Sequence, residues 1–448
     1  MLRLVCSFLT LCFFCQNSLA NDGYRVPDSA IFHSDKKHLW NRLHSVFFVR
    51  EDNQGNKVGG DLVDPYLWPS TTEFLLKGNS HAKAITLLDE FIKGNGHQLI
   101  ADPLKRAVLQ HDLWSIFDWT TNYDKGLPFG GAISPKTKSK ELNDSRKALR
   151  SRLSKAINLL ALDETEALGL INNYSMAVRS GSDLKKLDKT DSEGHFLPST
   201  LLTDNSNWVC VRGSLQGPSA PVHMRYYGGR SPFLVFLNLP GGRSATLKYL
   251  NALNKSTAAK FSGTTDDTPL PQFPEGTSVA LVRKMSVITQ SGDILVSPLV
   301  QTVQIRVYNQ VGEDIKDHNS SQTVYKFVLN RKDLFASING GLKPVKKNSI
   351  EGLSLIYSSD YFEDERLKPN SSVMKSCIDC HSCGGGTIHS IFTYKQDDWV
   401  PEAARMSSNK LRLLPTRIID EQKKAISWKY KRHDWGLLQG WIETISKS

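Results

Sequence analysis

Residues 278–307 read SVALVRKMSVITQSGDILVSPLVQTVQIRV. Two runs rich in β-branched residues, Ser278 to Val287 and Asp293 to Val307, flank Ser291-Gly292-Asp293, and the glycine-centred triplet reads as a hairpin turn. Similar short runs occur at Trp208 to Val211, Phe233 to Leu237 and Thr323 to Leu329, separated by Gly, Pro and Asp. Together they predict a mostly antiparallel sheet with one short helix, Ser244 to Leu253. Upstream, from about residue 30 to 200, the period changes to that of helices. Ala84, Leu87, Leu88 and Phe91 form one helical face, closed by Gly94-Asn95-Gly96. Asp102-Pro103 opens the next helix in cap-then-proline order. Asp163, Glu164 and Glu166 place negative charge in the first turn of another. The polar stretch Ser180 to Gly194 reads as a linker or surface loop, and past about residue 360 helix returns, ending in an aromatic-rich segment from Arg417 to Ile445. At 448 residues one core is too few. The expectation is an α+β multidomain chain: a leader at 1–20, a mostly helical domain at 21–200, a β-rich domain at 201–360 and a helical segment at 361–448.

The chemistry concentrates in that last segment. Cys377-Ile378-Asp379-Cys380-His381 is a C-x-x-C-H pattern, by which exported proteins carry covalently attached haem. At this chain's Cys and His frequencies chance supplies roughly 0.003 such matches, so coincidence is a poor account. Two thiols one helical turn apart reach two vinyl groups on one porphyrin edge, and the adjacent imidazole then lies under the iron. The N-terminus fits export. Arg3, the apolar run Leu4 to Phe14 and the small-residue site Ser18-Leu19-Ala20 have the layout of a secretory leader, too short for a membrane span of about 20 residues. Cleavage near Ala20 would leave a periplasmic or secreted protein with no transmembrane segment. It would also remove Cys6, Cys12 and Cys15, leaving Cys210 and Cys383 beside the motif thiols as a candidate disulfide.

On this motif, roughly the last 80 residues resemble a c-type cytochrome. The resemblance implies one covalently attached haem c, with Cys377, Cys380 and His381 as its binding residues, and electron transfer to a redox partner protein as its use. Pairing of the terminal helix with one before Cys377 would be similar to small cytochrome c folds. Pro369 before the motif and Cys383-Gly384-Gly385-Gly386 after it depart from them. Segments Leu109 to Thr120 and Pro232 to Tyr249 resemble parts of uncharacterised exported bacterial proteins, which transfers no activity.

The sixth iron ligand decides between electron transfer and an open, reactive site. Met406, 25 residues past His381, is the leading candidate, since the intervening chain is long enough to reach the distal face. Met374 shares the proximal side, His389 would need a tight loop, and His433 lies in the terminal helix; an open or distant ligand completes the set. An electron carrier needs only six-coordinate iron near the surface. A haem peroxidase or sensor needs an open distal site and would make the protein a haem-dependent oxidoreductase. Trp399 and Trp435 would pack on the porphyrin or in the core. Other chemistries compete for the same thiols: an iron–sulfur run lacking its fourth Cys, a Cys₃His zinc site with His389, or simple disulfides in a non-haem binding or structural protein.

The net charge of +11 is partly local, with eight Lys/Arg between Lys136 and Lys155 against Glu141 and Asp144. Ala148, Leu149, Leu153, Ile157 and Leu160 give that stretch an apolar helical face. Its basic face reads either as solvated surface or as a dock for an acidic partner or anionic wall polymer; export makes nucleic acid a poor partner. Gln110-His111-Asp112 and Asp118 share one helix and read as buried groups satisfied by neighbours or as a base or metal site. Pro240-Gly241-Gly242-Arg243 reads as a turn or an anion cradle at a helix start.

Overall fold

The structure, a computed structural model, describes residues 30–51, 57–59, 61, 75–122, 140–179, 197–212, 218–220, 223–224, 227–255, 271–312, 315, 321–346, 377–378, 381, 388–391 and 413–446. Its first part is helical, as the sequence period predicts. α1 (Leu39–Phe48) leads into the short hairpin β1 (Val49–Glu51) and β2 (Lys57–Gly59). α2 (Gly78–Lys93) buries Ala84, Leu87, Leu88 and Phe91 and stops at Gly94. In α3 (Pro103–Asn122) the Asp102 carboxylate accepts the amide of Leu104 at 2.8 Å, capping the first turn. α4 (Lys140–Leu159) turns Leu149, Leu153 and Ile157 inward. α5 (Glu164–Leu168) starts in a reciprocal capping box between Asp163 and Glu166, and α6 (Asn173–Ala177) follows.

The second part is a seven-stranded antiparallel sheet. β3 (Val209–Arg212) and β4 (Phe233–Asn238) precede α7 (Gly242–Lys255), then come β5 (Ser278–Ile288), β6 (Ile294–Tyr308) and β7 (Gln322–Leu329). The hairpin forms where expected, with Ile288 paired to Ile294 and Gly292 at φ 85° in the turn. α8 (Arg331–Phe335), β8 (Leu342–Pro344), α9 (Ile388–Ile391), β9 (Leu414–Pro415), α10 (Ile418–Tyr430) and α11 (His433–Ser446) complete the described elements. The strand order is β8-β7-β6-β5-β4-β3-β9. The two edge strands therefore bracket residues 345–413: the chain leaves the sheet at one edge and rejoins it at the other.

Alternation gives the sheet two buried faces. Leu234, Phe236, Ala280, Val282, Val303, Ile305 and Phe327 join the apolar core of α1 to α6, which also takes in Trp435 and Leu438 of α11. Residues from all three stretches delimited by sequence thus share one core. Val209, Val235, Leu237 and Val279 face the other way, onto Leu250 and Leu253 of α7 and Ala425 of α10. The terminal helices pack on α3, α4 and β4, and Trp435 lies against Trp114 of α3 with ring centroids 5.9 Å apart. The sheet and helices bear out the α+β reading.

From Ala107 to Thr121, α3 is buried on all sides, so its polar residues need internal partners. Gln110 bonds both the amide and the carbonyl of Ile288, at 2.9 and 2.8 Å. His111 meets the Ser286 carbonyl at 2.9 Å and Gln301 at 3.0 Å, and Asp112 accepts Arg331 Nε at 2.9 Å. Asp118 is fully buried and accepts Lys429 Nζ of α10 at 2.8 Å and Arg230 at 3.3 Å. Burial raises its pKa, opposed by Lys429. Lys429 also reaches Asp434 and the Gly228 carbonyl. Gly228 sits at φ 59°, and a Cβ there would lie 2.6 Å from Asp118 Oδ2, so both backbone and contact demand glycine. These are structural locks, as the satisfied-core reading of this helix expects.

Two stability measurements follow from these buried charges. Lys429→Met leaves Asp118 and Asp434 without their shared cation and should cost about 3–5 kcal/mol in denaturant unfolding. Adding Asp118→Asn should recover part of that loss. Asp61, whose carboxylate accepts the Lys332 amide at 3.2 Å, is pushed up to about 6, chiefly by burial. Between its unfolded value of about 3.9 and that value the folded state binds more protons, so this group's contribution falls as pH rises through the window. Asp61→Asn should therefore stabilise the protein by about 1–3 kcal/mol at pH 7 and by nothing near pH 4.

Candidate functional site

On the middle strands, the sheet face turned away from α1 to α6 is polar. Cross-strand pairing sets Arg283 opposite Thr302, Gln304 opposite Lys326 and Tyr308 opposite Gln322, with Arg306 between the last two rows. Arg283, Gln304, Arg306, Gln322 and Lys326 are all at most 8% exposed. Three cations in so small a buried area are costly unless something supplies negative charge or dipoles. Among the described residues neither Arg306 nor Lys326 forms an ion pair with a carboxylate. Arg306 instead donates to neutral oxygens: Tyr308 Oη at 2.7 Å, the Ser390 carbonyl at 3.1 Å and the Ile391 carbonyl at 3.2 Å. Ser390 Oγ adds a bond to Tyr308 Oη at 3.1 Å. Lys326 is pulled below its ordinary value by burial.

The described pieces of the chain between the two sheet edges lie on this polar face. Cys377 donates its thiol to Gln304 Oε1 at 3.5 Å. Gln322 Nε2 donates to the backbone carbonyl of His381 at 3.2 Å, and α9 is the segment held by Arg306. His381 Nδ1 meets the Ser390 carbonyl at 3.1 Å. A carbonyl can only accept, so Nδ1 carries the proton and the ring lone pair falls on Nε2. The motif thus presents one thiol and one imidazole of fixed tautomer over a basic floor. Burial raises the Cys377 thiol, with Lys326 and Arg306 opposing. Burial, Arg306 and His223 hold His381 well below the usual histidine range.

Sequence reasoning passed over His223. It lies between β3 and β4, 158 residues before His381. Its ring is parallel to that of His381 within 7°, with centroids 6.2 Å apart, and tilts over Phe233 at 5.7 Å. Burial, Lys326 and Arg306 push its pKa down to about 4. Nearby, Arg283 covers the Tyr227 ring at 3.9 Å. His223, Cys377 and His381 each keep some accessible surface although burial leads the shift of each. No sequence period marks His223; the only available signal was its side-chain chemistry.

The other expected residues are distributed unevenly. Cys380, Met406, Met374, Cys383 and Trp399 lie outside the described residues, as does the linker at 180–194. His433 is exposed at the start of α11. Cys210 is buried and belongs to the helical core, whereas Cys377 lies on the opposite sheet face. Part of the basic stretch has partners within the molecule: Arg152 pairs with Asp89 at 2.9 Å, Lys140 with Asp144 at 2.8 Å, and Arg150 binds Thr120. Arg146 is itself buried. At the start of α7, Arg243 donates its amide to Asn207 Oδ1 at 3.3 Å, which makes this an ordinary capped turn.

Arg306 is the tie between sheet and motif segment. Arg306→Met removes three hydrogen bonds and should cost about 1–3 kcal/mol. Hydrogen exchange read by mass spectrometry should show residues 388–391 losing protection while the β5–β6 pairing keeps its own. Compared with known proteins, the chain matches no family model, no curated protein and no solved structure, so its site speaks only through its own residues.

Proposed function

We propose that this is an exported monohaem c-type protein that transfers electrons. Cys377 and Cys380 are its covalent anchors and His381 is the axial ligand on the motif side. The observation that carries this reading is the bond from His381 Nδ1 to the Ser390 carbonyl, four residues from the Cys377 thiol in sequence and on the same sheet face. Metal-bound histidines characteristically donate their second ring nitrogen to a carbonyl or carboxylate, which fixes tautomer and orientation. Here α9 and Arg306 hold that carbonyl in place. The donor set therefore fits haem c, and so does the floor. Arg283, Arg306 and Lys326 suit the carboxylates of the propionate groups, and Tyr227, Phe233 and Tyr308 supply aromatic walls.

When bound, haem supplies a one-electron couple on its iron. Each thiol would add its sulfur and its proton across one vinyl double bond, an addition with no leaving group and no oxidant. By itself the basic floor would favour the reduced, less positive iron, and each propionate would offset one of its cations. Electron transfer is the chemistry that asks for no further catalytic group. The leader-like N-terminus supports export to a compartment where such attachment occurs, and a redox protein is the natural partner.

The test is a pyridine haemochrome spectrum of mature protein made with cytochrome c maturation machinery, after acid–acetone extraction. One haem per chain with a c-type spectrum is expected, lost in Cys377→Ala/Cys380→Ala. Absence of extraction-resistant haem from the wild-type chain, with a control cytochrome matured in the same cells, overturns the reading.

A further inference from the structure

We infer that His223 is the second axial ligand of the haem iron, so that the β-rich part of the chain completes a bis-histidine site begun by the motif. The inference rests on the haem reading above and adds a residue to it. The two imidazoles are parallel within 7° with centroids 6.2 Å apart. Stacking does not account for that spacing. Planes in contact lie about 3.5 Å apart, and centroids at this separation would then be displaced sideways by about 5 Å, more than the width of an imidazole. Two parallel rings that meet edge to edge through a single atom between them would have that spacing. Metal–nitrogen bonds of about 2.0–2.1 Å on opposite sides of one ion put the two centroids about 6.3 Å apart.

Three further observations agree. Among the described residues the ring of His223 makes no hydrogen bond, although it is enclosed by Phe233, His381 and the strands that carry Lys326 and Arg306. A part-buried neutral imidazole in that setting can offer its lone pair to a metal. The proton of His381 lies on Nδ1, which leaves Nε2 as its ligating nitrogen. Finally, both rings are held independently of each other: His381 through α9 and Arg306, and His223 by the chain entering β4, where Met224 is fully buried and its amide bonds the Ala220 carbonyl at 2.9 Å. Such a pair would need little rearrangement to hold a metal centre between its rings. A six-coordinate iron with two histidines suits electron transfer and disfavours peroxide or gas binding.

The experiment uses the full mature chain with covalently attached haem and compares wild type with His223→Gly and His223→Leu. Wild type should be low-spin in both oxidation states and bind no carbon monoxide. Both variants should retain haem through acid–acetone extraction yet turn high-spin, and their ferrous forms should bind carbon monoxide. Added imidazole should restore the low-spin spectrum of His223→Gly, which a merely structural role would not produce. If haem is retained and both variants stay low-spin, His223 is not the ligand; loss of the low-spin spectrum in Met406→Ala would then assign the position to methionine. A wild-type chain that is already high-spin also overturns the inference while leaving the haem reading intact. A wild-type chain with no covalent haem overturns both.

Discussion

The middle strands of the sheet are buried on both faces, and most of the molecule's organisation follows from what each face must satisfy. Along β6 the odd residues Val303, Ile305 and Val307 meet a helical layer that needs only apolar contact. The even residues Gln304, Arg306 and Tyr308 are buried as well, and dry polar groups cannot be left to themselves. Arg306 finds carbonyl oxygens in α9, Gln304 the thiol of Cys377, and Gln322 the carbonyl of His381. The motif segment lies where it does because the strands beneath it have unmet donors and acceptors. A purely apolar second face would have no reason to hold it there.

Much of this was legible in the sequence. The hairpin around Gly292, the helix closed by Gly94 and the capped starts of α3 and α5 are local matters, decided by glycine, proline and side-chain caps within a few residues. The C-x-x-C-H pattern is equally local. What escaped is long-range. Edge strands of three and two residues, β8 and β9, leave no periodic trace, so the crossing of residues 345–413 from one edge to the other could not be foreseen. His223 leaves no trace for the same reason: the chain brings it to the motif from 158 residues upstream, and no local pattern marks that approach. The basic stretch around α4 shows a different limit. Composition reveals the charges but not that Arg150 and Arg152 already have partners on α3 and α2.

This arrangement also bears on why so much protein precedes a five-residue motif. On the proposed reading the β-rich part is no separate module awaiting a task. Its strands furnish the floor, its entry into β4 furnishes an imidazole, and the helices behind it stiffen the sheet that holds both. Parts of the site separated by more than a hundred residues are carried by one hydrogen-bonded sheet.

The last of the long-range contacts has a bearing on timing. Asp118, buried in α3, is neutralised by Lys429, 311 residues later. During synthesis the helical layer therefore reaches its final form only after nearly the whole chain has emerged. Until then α10 is undocked and β9 has not joined the sheet beside β3. The chain's own end is thus what completes both the buried charge pair and the last edge of the sheet.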